Sequence, residues 1–161
     1  MASAGTIARR GFLFGSAAIA GGVALGVWYL HAPAPNPLRP GAGETALSPF
    51  VLIDGSGVTL IAPRAEMGQG TQTTWAALLA EEMDLAWEDV RVIHGPPGVA
   101  YYNAAMMAEN APGPPYGKSA FQQAVGEAMG TLGKPLRMQV TGGSTAMKDG
   151  FERMRVAGAA A

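Results

Sequence analysis

Residues 50–83 read FVLIDGSGVTLIAPRAEMGQGTQTTWAALLAEEM, and three regimes follow one another within them. Apolar and small residues alternate over Phe50–Ile53 and again over Val58–Ala62, which predicts two strands joined through the turn residues Asp54, Gly55, Ser56 and Gly57. A loop rich in glycine, amide and hydroxyl side chains comes next. Beyond it Trp75, Leu78, Leu79 and Met83 recur at helical spacing while Glu81 and Glu82 face water, so an amphipathic helix is expected whose first turn is the Gln-Thr-Thr run. A hairpin feeding a helix points to an α+β chain.

Working toward the C-terminus, DVRVIHG predicts a strand over Val90–Ile93, and the proline- and glycine-rich stretch 96–117 reads as an extended, irregular excursion. Phe121, Val125 and Met129 at intervals of four indicate another helix. LRMQVT predicts a strand over Leu136–Thr141, and after GGST a last helical pattern runs through Met147, Phe151 and Met154. No internal repeat is visible. The expected architecture is α+β: a short mixed sheet with helices packed on it, preceded by an N-terminal apolar helix.

Toward the N-terminus, ARRGFLFGSAAIAGGVALGVWYL places Arg9 and Arg10 ahead of Phe12 and Leu13 and then runs uncharged to Leu30. It resembles a twin-arginine export signal, with Ala8 in place of the usual serine and Phe14 in place of the frequent lysine. Residues 1–34 are therefore read as a signal or anchor helix, and residues 11–30 are about long enough to cross a bilayer if they are retained. Ala32 and Ala34 offer a small-x-small cleavage pattern, but Pro35 directly behind it hinders a signal peptidase, so removal and retention both stay open. The expected location is the periplasm or the periplasmic face of the inner membrane. Residues 35–49, rich in Pro, Gly and Ala, read as a linker, which leaves 50–161 to fold.

Composition removes whole classes of function. Lysine and arginine number 11 against 12 acidic residues, with no long run of either sign, so a nucleic-acid groove has no electrostatic basis. Cysteine is absent, which excludes disulfides, thiolate nucleophiles and iron–sulfur ligation within the chain. With two histidines, His31 and His94, in different regions, no His/Cys metal site is expected.

Two places share one arrangement of glycine pair, hydroxyl residues and helix: Gly68-Gln69-Gly70 with Thr71 and Thr73, and Gly142-Gly143-Ser144-Thr145. Glycine allows positive φ and close approach, and the first N–H groups of the following helix point outward, a geometry suited to an anion. Each loop alone is more simply read as a capped turn.

The stretch EMGQGTQTTWAALLAEEMDLAWEDVRVIHG, together with VTGGSTAMKDGFERMRVAGAAA, resembles the start of the molybdopterin-binding subunit of xanthine-dehydrogenase-type molybdenum hydroxylases, in the isoquinoline 1-oxidoreductase and aldehyde dehydrogenase branch. The resemblance runs over most of residues 50–161. It implies that Gly68, Gln69, Gly70 and Thr73 contact the molybdenum cofactor, in its cytosine dinucleotide form, and that Gly143, Ser144 and Thr145 lie near it. It also implies an iron–sulfur small subunit as partner. Relatives of this kind are several times longer and carry their catalytic glutamate near the far end, so the expectation is a fragment, incomplete relative to the family. No catalytic residue is assigned, and high cofactor affinity is not expected of this chain alone. The alternatives are a membrane-anchored periplasmic interaction module and a non-functional remnant.

Glu66 reads as a capping carboxylate rather than a general base, and His94 as structural or exposed. The methionines follow helical faces and suit core packing, and Tyr101 and Tyr102 suit the anchoring of an irregular loop.

Overall fold

The computed structural model describes the backbone of residues 4–161 and the side chains of residues 12–161. The chain divides into two compact units, Met1–Pro33 and Ala34–Ala161. The first is a single helix, α1 (Ala4–His31), whose Phe12–His31 portion is the one helix among the described residues long and apolar enough to cross a membrane. Twenty residues at about 1.5 Å rise match the hydrocarbon thickness of a bilayer, about 30 Å. The side chains of the arginine pair, Arg9 and Arg10, lie outside the described residues.

The second unit is α+β, as expected. A four-stranded mixed sheet has the order β1 (Thr45–Ser48), β2 (Val51–Asp54), β3 (Gly57–Ala62), β4 (Val90–His94). The first three strands are antiparallel neighbours, and β4 joins β3 in parallel, with Leu60 opposite Val92. The β2–β3 turn closes on Asp54, whose Oδ1 accepts from the Ser56 N–H at 2.7 Å. A parallel pair needs a crossover, and α2 (Thr71–Glu82) supplies it. Then come α3 (Ala104–Ala108), α4 (Ala120–Thr131) and α5 (Ala146–Ala159). Val51, Leu60, Ile61, Trp75, Leu79, Tyr101 and Met154 form the centre of the core, where α2 packs on β3 and β4 and α5 packs on α2.

α2 and α5 run parallel. Trp75 lies against Gly150 near their starts, and Leu79 and Glu82 lie against Gly158 near their ends. Both glycine loops therefore sit at the same end of this helix pair.

Four expectations need correction. The folded unit begins at Ala34 rather than Phe50: Ala34 and Leu38 pack on the core, and residues 45–48, read as linker, form the edge strand β1. Its short ladder to Leu52 and Ile53 escapes an alternation rule that needs longer runs. Residues 136–141 form no strand. Arg137 turns left-handed at φ 51°, and the residues after it are held in part by a side chain, with Asn103 donating to Met138 O through its N–H and to Val140 O through Nδ2. Finally, α4 exists where expected but does not bury Phe121, which is 77% exposed; the buried residues are Gly126 and Gly130, facing the α3 segment. In α5 Met154 is fully buried as expected, yet Phe151 is 51% exposed and glycines 150 and 158 complete the inner face.

Candidate functional site

Glu66 organises the first glycine loop. Its Oε1 accepts from the N–H groups of Gly68 at 2.7 Å and Gly70 at 2.9 Å, and its Oε2 accepts from the Gln72 N–H at 2.9 Å and the Thr71 hydroxyl at 3.4 Å. Gly68 and Gly70 adopt φ of 94° and 80°, which lets successive N–H groups turn toward one point. The N–H groups, that of Gln72 first and then that of Gly70, hold the carboxyl at about 2 against a partial desolvation that opposes them. Gln69 folds back, with Nε2 donating to Thr71 Oγ1 at 2.8 Å and Oε1 accepting from the Met67 N–H.

The loop is therefore an anion nest that already contains its anion. The reading of Glu66 as a capping carboxylate agrees with this geometry. The reading of Gly68 and Gly70 as free donors to a cofactor does not, because their N–H groups point at Glu66. Because the folded value lies below the ordinary 4.5 of glutamate, the charged form stabilises the fold above that pH, and the contribution is lost as pH falls toward about 2. In a carbon-detected NMR titration from pH 5 to 1.5, the Glu66 carboxyl is expected to titrate near 2, with the Gly68, Gly70 and Gln72 amides moving in step. In Glu66→Gln that acid transition should vanish. A midpoint near 4.5 would show that the nest does not hold its charge.

The second loop differs. Gly143 and Ser144 are successive left-handed residues, φ 60° and 54°, and both are exposed. Ser144 takes this conformation without the freedom of glycine, a local strain. Thr145, expected near a ligand, is instead interior: its hydroxyl donates to Gly142 O at 2.7 Å and accepts from Asn103 Nδ2 at 2.8 Å. Thr141 Oγ1 donates to Ala65 O at 2.8 Å, and Gln139 Nε2 to Pro63 O at 2.8 Å, so the two loop segments are stitched together. Thr73 is exposed on the first turn of α2. Of the residues picked from sequence, Gly68, Gln69, Gly70, Thr73, Gly143 and Ser144 share the loop end of the α2–α5 pair on their outer side, and Thr145 shares it from within.

Beneath these loops lies a charged centre that sequence reasoning missed. The Arg64 guanidinium, in a residue 2% exposed, pairs with Asp149 Oδ2 at 2.7 Å and donates to the carbonyls of Tyr101, Tyr102 and Ala146 at 3.3 Å. It stands 5.2 Å over the Trp75 ring. Burial pushes Arg64 down from its usual value, and the Asp149 charge opposes that. Asp149 Oδ1 accepts from the Ala104 N–H at 2.8 Å and from Arg153 at 3.4 Å. The pair ties the end of β3 to the starts of α3 and α5. The partners are 85 positions apart, so no local pattern joins them; an arginine directly behind a buried strand was the one available signal. Tyr101 anchors the irregular stretch as expected, its hydroxyl donating to Pro49 O at 2.6 Å.

Among the described residues no group of three or more His, Cys, Asp or Glu side chains is placed to hold a metal. Comparison with protein-family profiles, with curated proteins and with solved structures finds no match to this chain.

Proposed function

We propose that the chain is the amino-terminal part of an exported molybdenum hydroxylase large subunit and contributes two loops beside its molybdopterin cytosine dinucleotide. The observation that carries this reading is the parallel packing of α2 and α5, which sets the EMGQG and GGST loops side by side at one end. Gly68 and Gly70 do not fit as free donors to the cofactor, so their role is to shape the loop around Glu66. Thr73, Gly143 and Ser144 are the positions turned outward and are the contact residues of this proposal, whereas the Gln69 side chain is folded back onto its own loop. The bound group would supply the oxidation of an aldehyde or N-heterocycle, with electrons passing to an iron–sulfur small subunit. This chain supplies binding surface and no catalytic group: Glu66, the one carboxylate in the loop, is tied to three N–H groups and held too acidic to act as a base near neutral pH.

The test is co-expression of the full chain, export signal included, with the polypeptides encoded beside it, in a host that makes the cytosine dinucleotide cofactor. Oxidised-pterin fluorescence is expected in the co-purified complex and absent from the chain alone. Neighbouring reading frames unrelated to molybdenum hydroxylases, or a complex without pterin, would overturn the reading. The second outcome would favour a partner-binding module, a reading that draws on the outward-facing apolar side chains Tyr116, Phe121, Phe151 and Val156.

A further inference from the structure

A cleft of about 580 Å³ opens beyond the carboxyl ends of the parallel strands β3 and β4, where Ala62 and His94 are register partners. In open α/β sheets ligands bind outside the carboxyl ends of the strands at a topological switch point, and this cleft shares the strand-end position. Its volume is in the range of small-molecule pockets. Ala62, Gly95 and Pro97 give it an apolar floor, while His94, Arg137 and Gln139 bring polar atoms to its wall.

The polar groups are not equivalent. Gln139 is spent on the protein: Nε2 donates to Pro63 O and Pro96 O, and Oε1 accepts from the Gly98 N–H. Arg64 also reaches the wall, but its charge is matched by Asp149. Glu66 lines the cleft with its carboxylate turned into its own nest. The imidazole of His94 accepts the Glu66 N–H at Nε2, 3.3 Å, so in the neutral ring the proton sits on Nδ1 and that N–H is a donor. Arg137 forms no ion pair among the described residues, although it lies on a left-handed bend, φ 51°, a conformation that costs free energy for a side chain of its size. One unmatched cation and one ring N–H donor stand over an apolar floor.

We propose that this cleft is a binding site for a small organic monocarboxylate, its carboxylate held by Arg137 and the His94 Nδ1–H and its apolar body against Ala62 and Pro97. A single negative charge matches the single unpaired guanidinium, and a planar carboxylate suits the guanidinium fork. The site does not rest on the pterin reading: its binding groups are Arg137 and His94, and Glu66 of the first glycine loop only borders it.

The experiment follows the His94 ring nitrogens and the Gly95 amide of the full chain in detergent micelles by NMR during titration with benzoate, with inorganic phosphate and with benzyl alcohol. Benzoate is expected to saturate both signals below about 10 mM, with Arg137→Gln weakening it about tenfold or more and Arg137→Lys retaining part of the affinity. Arg137 is exposed, so the fold of each variant is checked by an unchanged amide spectrum away from the cleft. No saturable shift, or equal affinity in Arg137→Gln, overturns the site. Phosphate binding as tight as benzoate, or benzyl alcohol binding as tight as either, overturns the carboxylate assignment.

Discussion

Asp149→Ala is expected to destabilise the 34–161 unit by about 3–5 kcal/mol, the usual effect of stripping one partner from a buried ion pair. The side chains of Arg64 and Asp149 are 1% and 2% exposed, so water cannot replace the lost carboxylate. The substitution also leaves the Ala104 N–H at the start of α3 without its acceptor and frees Arg153 from its contact. An effect of this size is a large share of the stability of an ordinary domain, about 5–15 kcal/mol. Urea unfolding of the full chain in micelles, followed by far-ultraviolet circular dichroism, measures it. The double variant Arg64→Met with Asp149→Leu should recover much of the loss, since it removes the orphaned charge as well as its partner. A midpoint for Asp149→Ala within error of the parent would mean that Arg64 is not dry.

The second large effect is expected at Gly150. A methyl group there meets the Trp75 indole, with Cδ1 at 2.9 Å and the unpartnered Nε1 closer still. At Gly158 it meets the Leu79 carbonyl oxygen at 2.8 Å and Glu82 Cβ at 2.9 Å. Alanine gains about 1 kcal/mol over glycine in helix propensity, but overpacking a close helix contact costs about 1–3 kcal/mol and more where backbone is struck. The clash wins at both positions. Gly126→Ala in α4 is the internal comparison: its nearest neighbour is the Ala108 carbonyl at 3.6 Å, an ordinary contact, so propensity should win and stability should hold or rise. Equal midpoints for Gly150→Ala and Gly126→Ala would show that α2 and α5 are not packed this closely.

The same glycines show where the sequence was legible and where it was not. The hairpin of β2 and β3, the helix from the Gln-Thr-Thr run and the parallel strand at Val90 all arise from apolar period and turn residues, which act locally. Helix faces were misjudged where contact is made by absence of a side chain: α4 turns Gly126 and Gly130 inward and leaves Phe121 in water, the reverse of what hydrophobic spacing predicts. Residues 136–141 alternate like a strand but satisfy part of their backbone through Asn103, which stands more than thirty positions away. At the candidate site, the two glycine loops were visible as motifs. That Glu66 fills the first of them is a result of the left-handed turns at Gly68 and Gly70, which bring three N–H groups back onto a side chain lying just before them.

Parallel side-by-side helices place like ends together, so α2 and α5 add their partial positive charges at the loop end instead of cancelling them. The chain brings its own counter-charge to the start of α2 in Glu66, whereas Asp149 in the first turn of α5 is matched by Arg64. An external group arriving at the first loop meets N–H donors already occupied. To bind through those backbone donors it must displace the Glu66 carboxylate.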